Sequence, residues 1–272
     1  MTGEAPEGMR EAEAHIIVDD LTMAFGDFVL QRGLGFTVRR GEIFIVMGGS
    51  GCGKSTLMRH LIGLHRPAGG RILYGEVNFW EGSTEEREAL MKGFGILYQS
   101  GALWSSMTLA ENIALPLRTY TDFSPTAVGE LVSYKLSLVG LSGFEGYYPS
   151  EISGGMKKRA GLARAMALDP EILFFDEPSA GLDPISARRL DELIVELRDS
   201  LGATVVVVTH ELASIFAIGD NSVFLDAEAR TMIAEGSPGS LLRESRDPRV
   251  QAFLTRGGSA GSAAAATALP GA

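Results

Sequence analysis

The sequence predicts an α/β protein built on a parallel sheet, and three observations carry that reading. The run Ile43–Met47 is apolar at every position, as in a strand covered on both faces. The runs Ile172–Asp176 and Thr204–Val208 read as further buried strands, with the helical pattern Ile185–Leu201 between them. Strand, helix, strand in that order implies a right-handed parallel crossover. The chain has 272 residues and is 45% hydrophobic, enough for one large α/β domain or a core with a smaller subdomain.

Taken in order, residues 1–14 are polar and acidic and are expected to form a disordered lead. Ile16–Val18 opens a β-rich stretch that continues through Phe36–Val38 and Glu42–Met47. A glycine-rich turn follows, then the helical pattern Ser55–Leu64. Gly69, Gly70 and Gly75 punctuate a strand–turn region, residues 84–93 are helical in pattern, and Gly95–Tyr98 reads as a strand. From 107 to 150 the apolar residues fall at helical spacing, Leu109, Ile113 and Leu117, then Leu131, Leu136 and Leu138. This predicts a helical insertion. Ser153–Ala167 is a helix with a glycine-rich start, and Val223–Leu225 and Thr231–Ala234 read as a closing pair of strands. The expected division is a lead over 1–14, one domain over 15–256 with a helical subdomain at about 107–165, and a mobile Gly/Ser/Ala-rich tail over 257–272.

Charge and composition exclude some functions. Thirty-four acidic and 24 basic residues give a net charge of −10, and no Lys/Arg-rich block occurs. That argues against nucleic-acid partners. The single cysteine, Cys52, cannot form an intramolecular disulfide and fits a reducing compartment. The first residues lack the basic start and apolar core of a signal peptide. No apolar run approaches the ~20 residues of a membrane helix. A cytoplasmic protein is expected, with any membrane contact made through a partner.

Two motifs carry chemistry. Gly48-Gly49-Ser50-Gly51-Cys52-Gly53-Lys54-Ser55 fits the P-loop pattern, between an apolar strand and a helix. Its glycines let successive backbone N–H groups turn towards phosphate oxygens, and the helix adds its positive N-terminal end. Lys54 can reach β- and γ-phosphates, the Ser55 hydroxyl can ligate Mg²⁺, and Thr56 can add a phosphate hydrogen bond. Cys52 occupies a free position of the loop, where an inert small residue is a simpler reading than a redox group. The second motif is Asp176-Glu177 at the end of the strand that starts at Ile172. Ligands of parallel α/β sheets bind beyond such ends. Asp176 is placed to support Mg²⁺, and Glu177 to orient and partly deprotonate water.

P-loops serve many activities. The segment Glu151–Arg159, with Ser153, Gly154 and Gly155 opening a basic helix, resembles the signature of ABC-type ATPases. Ser153 is a good helix cap, and the two glycines bare backbone N–H groups. The resemblance covers about residues 16–256. In its terms Gln99 matches the Q-loop, Ser179–Asp183 the D-loop, and His210 the switch histidine. Phe25 matches the aromatic that stacks on adenine, with Phe28 as a nearby competitor. The family implies a P-loop NTPase fold: a RecA-like core, an N-terminal antiparallel β subdomain and an inserted helical subdomain. It implies ATP and Mg²⁺ as ligands, with Ser55, Gln99 and Asp176 at the metal. Met156 stands where the signature usually has Gln, and Phe25 replaces the usual Tyr. Stacking should persist without the hydroxyl.

Three segments are similar to one branch, the Mla/Mce-type phospholipid-trafficking ATPases: Tyr98–Trp104, Ser150–Met156 and Asp247–Leu254. The branch implies a homodimer of the ATPase, a homodimeric permease of the MlaE type, and an Mce-domain lipid-binding protein. It places the chain peripherally on the cytoplasmic face of the inner membrane. Each ATP is expected between the P-loop of one copy and Ser153–Gly155 of the other, with the Asp183 loop crossing the interface. A groove near Leu103–Leu117 is expected to receive a permease helix, and Asp247–Leu254 to pack on the dimer partner. The rival function is a non-transport ABC ATPase, for example an assembly factor. Intact Lys54, Glu177 and His210 argue against a purely regulatory module.

Overall fold

The computed structural model describes residues 13–256. The expected lead and tail lie outside these residues, apart from Glu13 and Ala14, and Ala14 already belongs to the first strand. Two sheets organise the chain. Strands β1 (Ala14–Phe25) and β2 (Phe28–Arg39) form a long antiparallel hairpin. Strands β4 (Gly69–Tyr74) and β5 (Val77–Asn78) extend it in the order β2-β1-β4-β5. This is the expected antiparallel β subdomain. Ile16, Val18, Leu21 and Met23 of β1 turn inward and are fully or almost fully buried.

The second sheet holds β3 (Ile43–Gly48), β6 (Phe94–Leu97), β7 (Ile172–Asp176), β8 (Thr204–Val208), β9 (Asn221–Asp226) and β10 (Thr231–Gly236). Their order is β10-β9-β3-β8-β7-β6, parallel throughout except that β10 runs antiparallel to β9. The carboxyl ends of β3, β8, β7 and β6 therefore meet along one edge of the sheet.

Period two decides which core each strand residue enters. Phe44, Val46, Phe174, Val206 and Val208 pack towards the antiparallel sheet and helix α1 (Lys54–Leu61). Ile43, Ile45, Met47, Leu173, Phe175, Val205 and Val207 pack on the opposite side. There they meet α5 (Gly154–Ala165), α6 (Pro184–Leu201) and the helical insertion. Full burial of such side chains contributes about 1.5–3 kcal/mol each. That is why the parallel strands read as unbroken apolar runs.

The remaining helices begin where their caps dictate. Ser83 and Glu86 form a capping box for α2 (Thr84–Lys92), and Thr108 and Glu111 form one for α3 (Leu109–Tyr120). Ser124 caps α4 (Pro125–Leu138), whose proline sits in the first turn. α3 tolerates Pro116 while Leu109, Ile113 and Leu117 stay buried together. Fully buried Asn112 fixes the loop ahead of α3. It accepts from the Trp104 N–H at 2.7 Å and donates to the carbonyls of Trp104, Met107 and Thr108. Trp104 is thereby held outward, 58% exposed.

The chain closes with α7 (Leu212–Ile218), α8 (Pro238–Glu244) and α9 (Pro248–Leu254). The Asp247–Leu254 segment, expected to pack on a partner, turns its apolar face into its own chain and leaves Pro248, Arg249 and Ala252 exposed. Val250, Phe253 and Leu254 are buried in their own chain, and Phe253 meets Phe224 edge-on at 5.1 Å. Arg249 ties the start of α9 to Asp226 at 2.9 Å. No helix among the described residues is long and apolar enough to cross a membrane.

Candidate active site

The P-loop leaves β3 at Gly48, where φ is 149° and a Cβ would lie 2.3 Å from the Leu225 carbonyl oxygen. Only glycine fits that close approach. Gly53 caps α1 in the left-handed region, at φ 100°. The loop is pinned from below by Gln31 of β2. Its side-chain amide donates to the carbonyls of Cys52 at 2.7 Å and Asp226 at 2.9 Å. The Cys52 thiol is buried, and burial pushes its pKa up. Less thiolate means less reactivity, so Cys52 serves the loop through its backbone.

Lys54 lies across the loop, donating to the carbonyls of Gly48 at 3.0 Å and Gly49 at 2.9 Å. The Ser55 hydroxyl donates to Asp176 Oδ1 at 2.9 Å. Burial raises the pKa of Asp176, and the Ser55 bond partly offsets this. A desolvated carboxylate beside a hydroxyl, at a helix start, is a hard-oxygen donor set that fits Mg²⁺.

Glu177 follows at φ 50°, a conformation rare outside glycine. Its N–H donates to the Val208 carbonyl at 2.8 Å, extending the β7–β8 pairing by one step. Its Oε1 lies 2.7 Å from His210 Nδ1, and Thr209 Oγ1 donates to Oε2 at 3.4 Å. The Glu177 side chain is 12% exposed and that of His210 56%. The acid is thus shielded while its partner faces the opening.

These groups share one cavity of about 1210 Å³. Gly48–Gly51, Gly53–Thr56, Gln99, Glu177 and His210 line its polar side. The lining also includes the apolar side chains Leu30, Leu212, Phe216, Leu242, Phe253 and Leu254, beside Glu211 and Arg256. Sequence reasoning missed these apolar lining residues, together with Thr209 and Gln31. Thr209 adjoins His210 and could have been found from it; nothing local marks Gln31 or α9.

Other expected residues lie elsewhere. Ser153 and Gly155 line a separate cavity of about 280 Å³ with Met156, Arg159, Ser186 and Arg189. Ser153 caps α5 by accepting from the Met156 N–H at 3.3 Å. Asp183 caps α6, accepting from the N–H groups of Ile185 and Ser186 at 3.0 Å. Phe25 is half-exposed at the end of the β1–β2 hairpin, edge-on to His65 at 6.3 Å. Its register partner Phe28 is equally exposed and has the Arg230 guanidinium 5.1 Å from its ring centroid.

A buried chain lies behind the acid pair. Ser179 and Ser214 hydroxyls are 3.2 Å apart, and Ser214 donates to Asp191 Oδ2 at 2.8 Å. Burial pushes the Asp191 pKa up to about 6. The unfolded carboxyl titrates near 3.9, so between roughly pH 4 and 6 the folded state holds the extra proton. This residue's contribution to stability therefore falls as pH rises through that window and levels off above it. Asp191→Asn flattens that slope. Urea midpoints of the two proteins from pH 4 to 7 measure it, and parallel slopes contradict the assignment.

A family model described as ABC transporter matches residues 31–180. The probable ribonucleotide transport ATP-binding protein mkl of Mycobacterium tuberculosis is 40% identical over 239 residues, 88% of this chain. The chain spans 66% of that relative's length. The intermembrane phospholipid transport system ATP-binding protein MlaF of Haemophilus influenzae is 40% identical, covering 88% of this chain and 89% of its own. MlaF of Escherichia coli K12 is 38% identical over 90% and 91%. Among solved structures, cbiO1 from Clostridium perfringens, part of an ABC transporter complex, superposes with a TM-score of 0.78 at 25% identity, covering 89% of this chain and 99% of that one. A dimeric ATP-binding cassette in a post-hydrolysis state, bound to ADP and Pi, gives 0.74 at 25% identity over 82% and 98%.

Proposed function

The chain belongs to the ABC transporter family of ATP-binding cassettes, and from that premise we propose that it is the ATP-hydrolysing subunit of a phospholipid transporter. One observation carries the reading: the P-loop, Gln99, Glu177 and His210 line one cavity at the carboxyl edge of a parallel sheet, with Asp176 bonded to the P-loop through Ser55. Residues 15–256 act as one cassette, with 107–165 as its helical subdomain.

In this reading the backbone N–H groups of Gly48–Thr56 and the Lys54 ammonium bind the phosphates, and Phe25 stacks on the adenine. Ser55, Asp176 and Gln99 hold Mg²⁺, which neutralises charge on the phosphates when bound. Glu177 takes a proton from the attacking water as that oxygen bonds to the γ-phosphorus and the bond to the ADP oxygen breaks. His210 Nδ1 donates to the Glu177 carboxylate and keeps it aimed at the attacking water. Within one chain Ser153–Gly155 stand apart from this cavity. We therefore assign them, with Asp183, to the site of a second copy, which the dimeric neighbour supports.

The names of the relatives divide on cargo, ribonucleotide in one case and phospholipid in the other. The segments Tyr98–Trp104, Ser150–Met156 and Asp247–Leu254 favour phospholipid. The partners are then an MlaE-like permease dimer and an Mce-domain lipid-binding protein, and the chain sits on the cytoplasmic face of the membrane through the permease. Outward-facing Trp104 marks the coupling groove. Affinity purification from gently solubilised membranes, with mass spectrometry of proteins and bound small molecules, tests this. A permease with an Mce-domain protein and phospholipid is the expected result. A permease carrying ribonucleotide would discard the lipid assignment, and soluble partners alone would restore the non-transport rival.

A further inference from the structure

Helix α5 carries a buried cation that the site above does not use. Lys158 is 6% exposed, and its ammonium donates to the main-chain carbonyls of Glu177 at 3.2 Å and Ala180 at 2.6 Å. Removing an ammonium from water is costly unless its protons find acceptors. Burial lowers its pKa, and the Glu177 charge opposes that shift. Both acceptors belong to the turn that follows the acid strand.

That turn is gripped from both sides. The Ala180 N–H closes it onto the Glu177 carbonyl at 3.2 Å, so this oxygen serves two donors. Opposite Lys158, the Ser179 hydroxyl meets Ser214 of α7, which is held in turn by Asp191 of α6. Glu177 itself keeps a left-handed backbone. A non-glycine residue stays there only when its surroundings over-determine it. The aim of its carboxylate follows from that backbone, because the side chain leaves a fixed Cα in a fixed direction. Arg159, the next residue of α5, donates instead to the carbonyls of Val139 and Gly140 at the end of α4. Two adjacent cations thus serve different ends: one anchors the helical insertion, the other the catalytic turn.

We propose that Lys158 is a positioning residue for ATP hydrolysis, holding the Glu177–Ala180 turn so that the Glu177 carboxylate points at the attacking water. The inference rests on Glu177 as the group that polarises water. It also ties the start of the signature helix mechanically to the acid strand of the same copy. Movement of α5 during closure is then felt directly at Glu177.

Steady-state ATPase kinetics of the full chain test this with three variants. Lys158→Met removes the charge and keeps the apolar stem. Its kcat should fall at least about tenfold, while KM and the affinity for a non-hydrolysable ATP analogue stay within about twofold, as for a group acting only on the chemical step. Lys158→Arg, which keeps donors within reach, should recover most of the loss. Should the Met variant fail to fold, Lys158→Gln decides, with a several-fold lower kcat at unchanged KM. A kcat within twofold of wild type would overturn the proposal. So would kcat and KM worsening together without recovery in the Arg variant, the pattern of a purely structural lysine. The underlying reading fails separately: an undiminished Glu177→Gln would remove Glu177 from its role whatever Lys158 does.

Discussion

Glu177→Gln should lower ATP turnover by at least a hundredfold while leaving nucleotide affinity within about threefold. The amide has nearly the shape of the carboxylate, so the backbone bond to Val208 and the contact from His210 Nδ1 both survive. What it loses is the capacity to take a proton from water. Removing a well-placed general base costs typically 10²–10⁴ in rate. The Glu177 side chain bonds to Thr209 and His210, so the Ser55–Asp176 bond and the Lys54 bonds to Gly48 and Gly49 persist in the variant. Binding and chemistry therefore separate. Single-turnover hydrolysis alongside equilibrium binding measures both. Turnover within threefold of wild type would mean that another group activates the water.

Lys54→Ala should act on the other half of the reaction, weakening ATP binding by roughly 100-fold or more. A charge-assisted hydrogen bond contributes about 1.5–3 kcal/mol. Lys54 is expected to make more than one to the phosphates, and each 1.4 kcal/mol is a factor of ten. The loop is also disturbed, because the ammonium now bridges the carbonyls of Gly48 and Gly49. Titration with a fluorescent ATP analogue reads the affinity directly. Unchanged affinity would undermine the cradle assignment.

Much of the fold is legible locally. Parallel strands between two cores must be apolar at nearly every position, so Ile43–Met47 and Val205–Val208 announce themselves. The P-loop and the acid pair are contiguous motifs at strand ends, and the sheet order explains why they meet. The signature is legible too, yet one chain does not bring it to the P-loop. Long-range partners are less visible. Gln31 supports the loop through a carbonyl 195 positions away, and no spacing encodes that. The same holds for Lys158, which looks like one more basic residue of a basic helix until its two carbonyl acceptors are seen. The α9 segment shows the same limit. Its sequence suggested a docking element, but its apolar residues are consumed by its own core, beside the nucleotide cavity.

The separation of the two half-sites implies that ATP is held between copies. Analytical ultracentrifugation of the Glu177→Gln chain, with and without ATP, tests it most directly when run beside the same chain carrying Gly154→Asp. A side chain at Gly154 meets open space, so the second variant should fold, and it lies away from its own P-loop cavity. It places negative charge where the partner's γ-phosphate would come. ATP should drive the first protein to a dimer, while the second binds ATP but stays monomeric. Equal dimerisation of both, or ATP binding with no dimer in either, would contradict it.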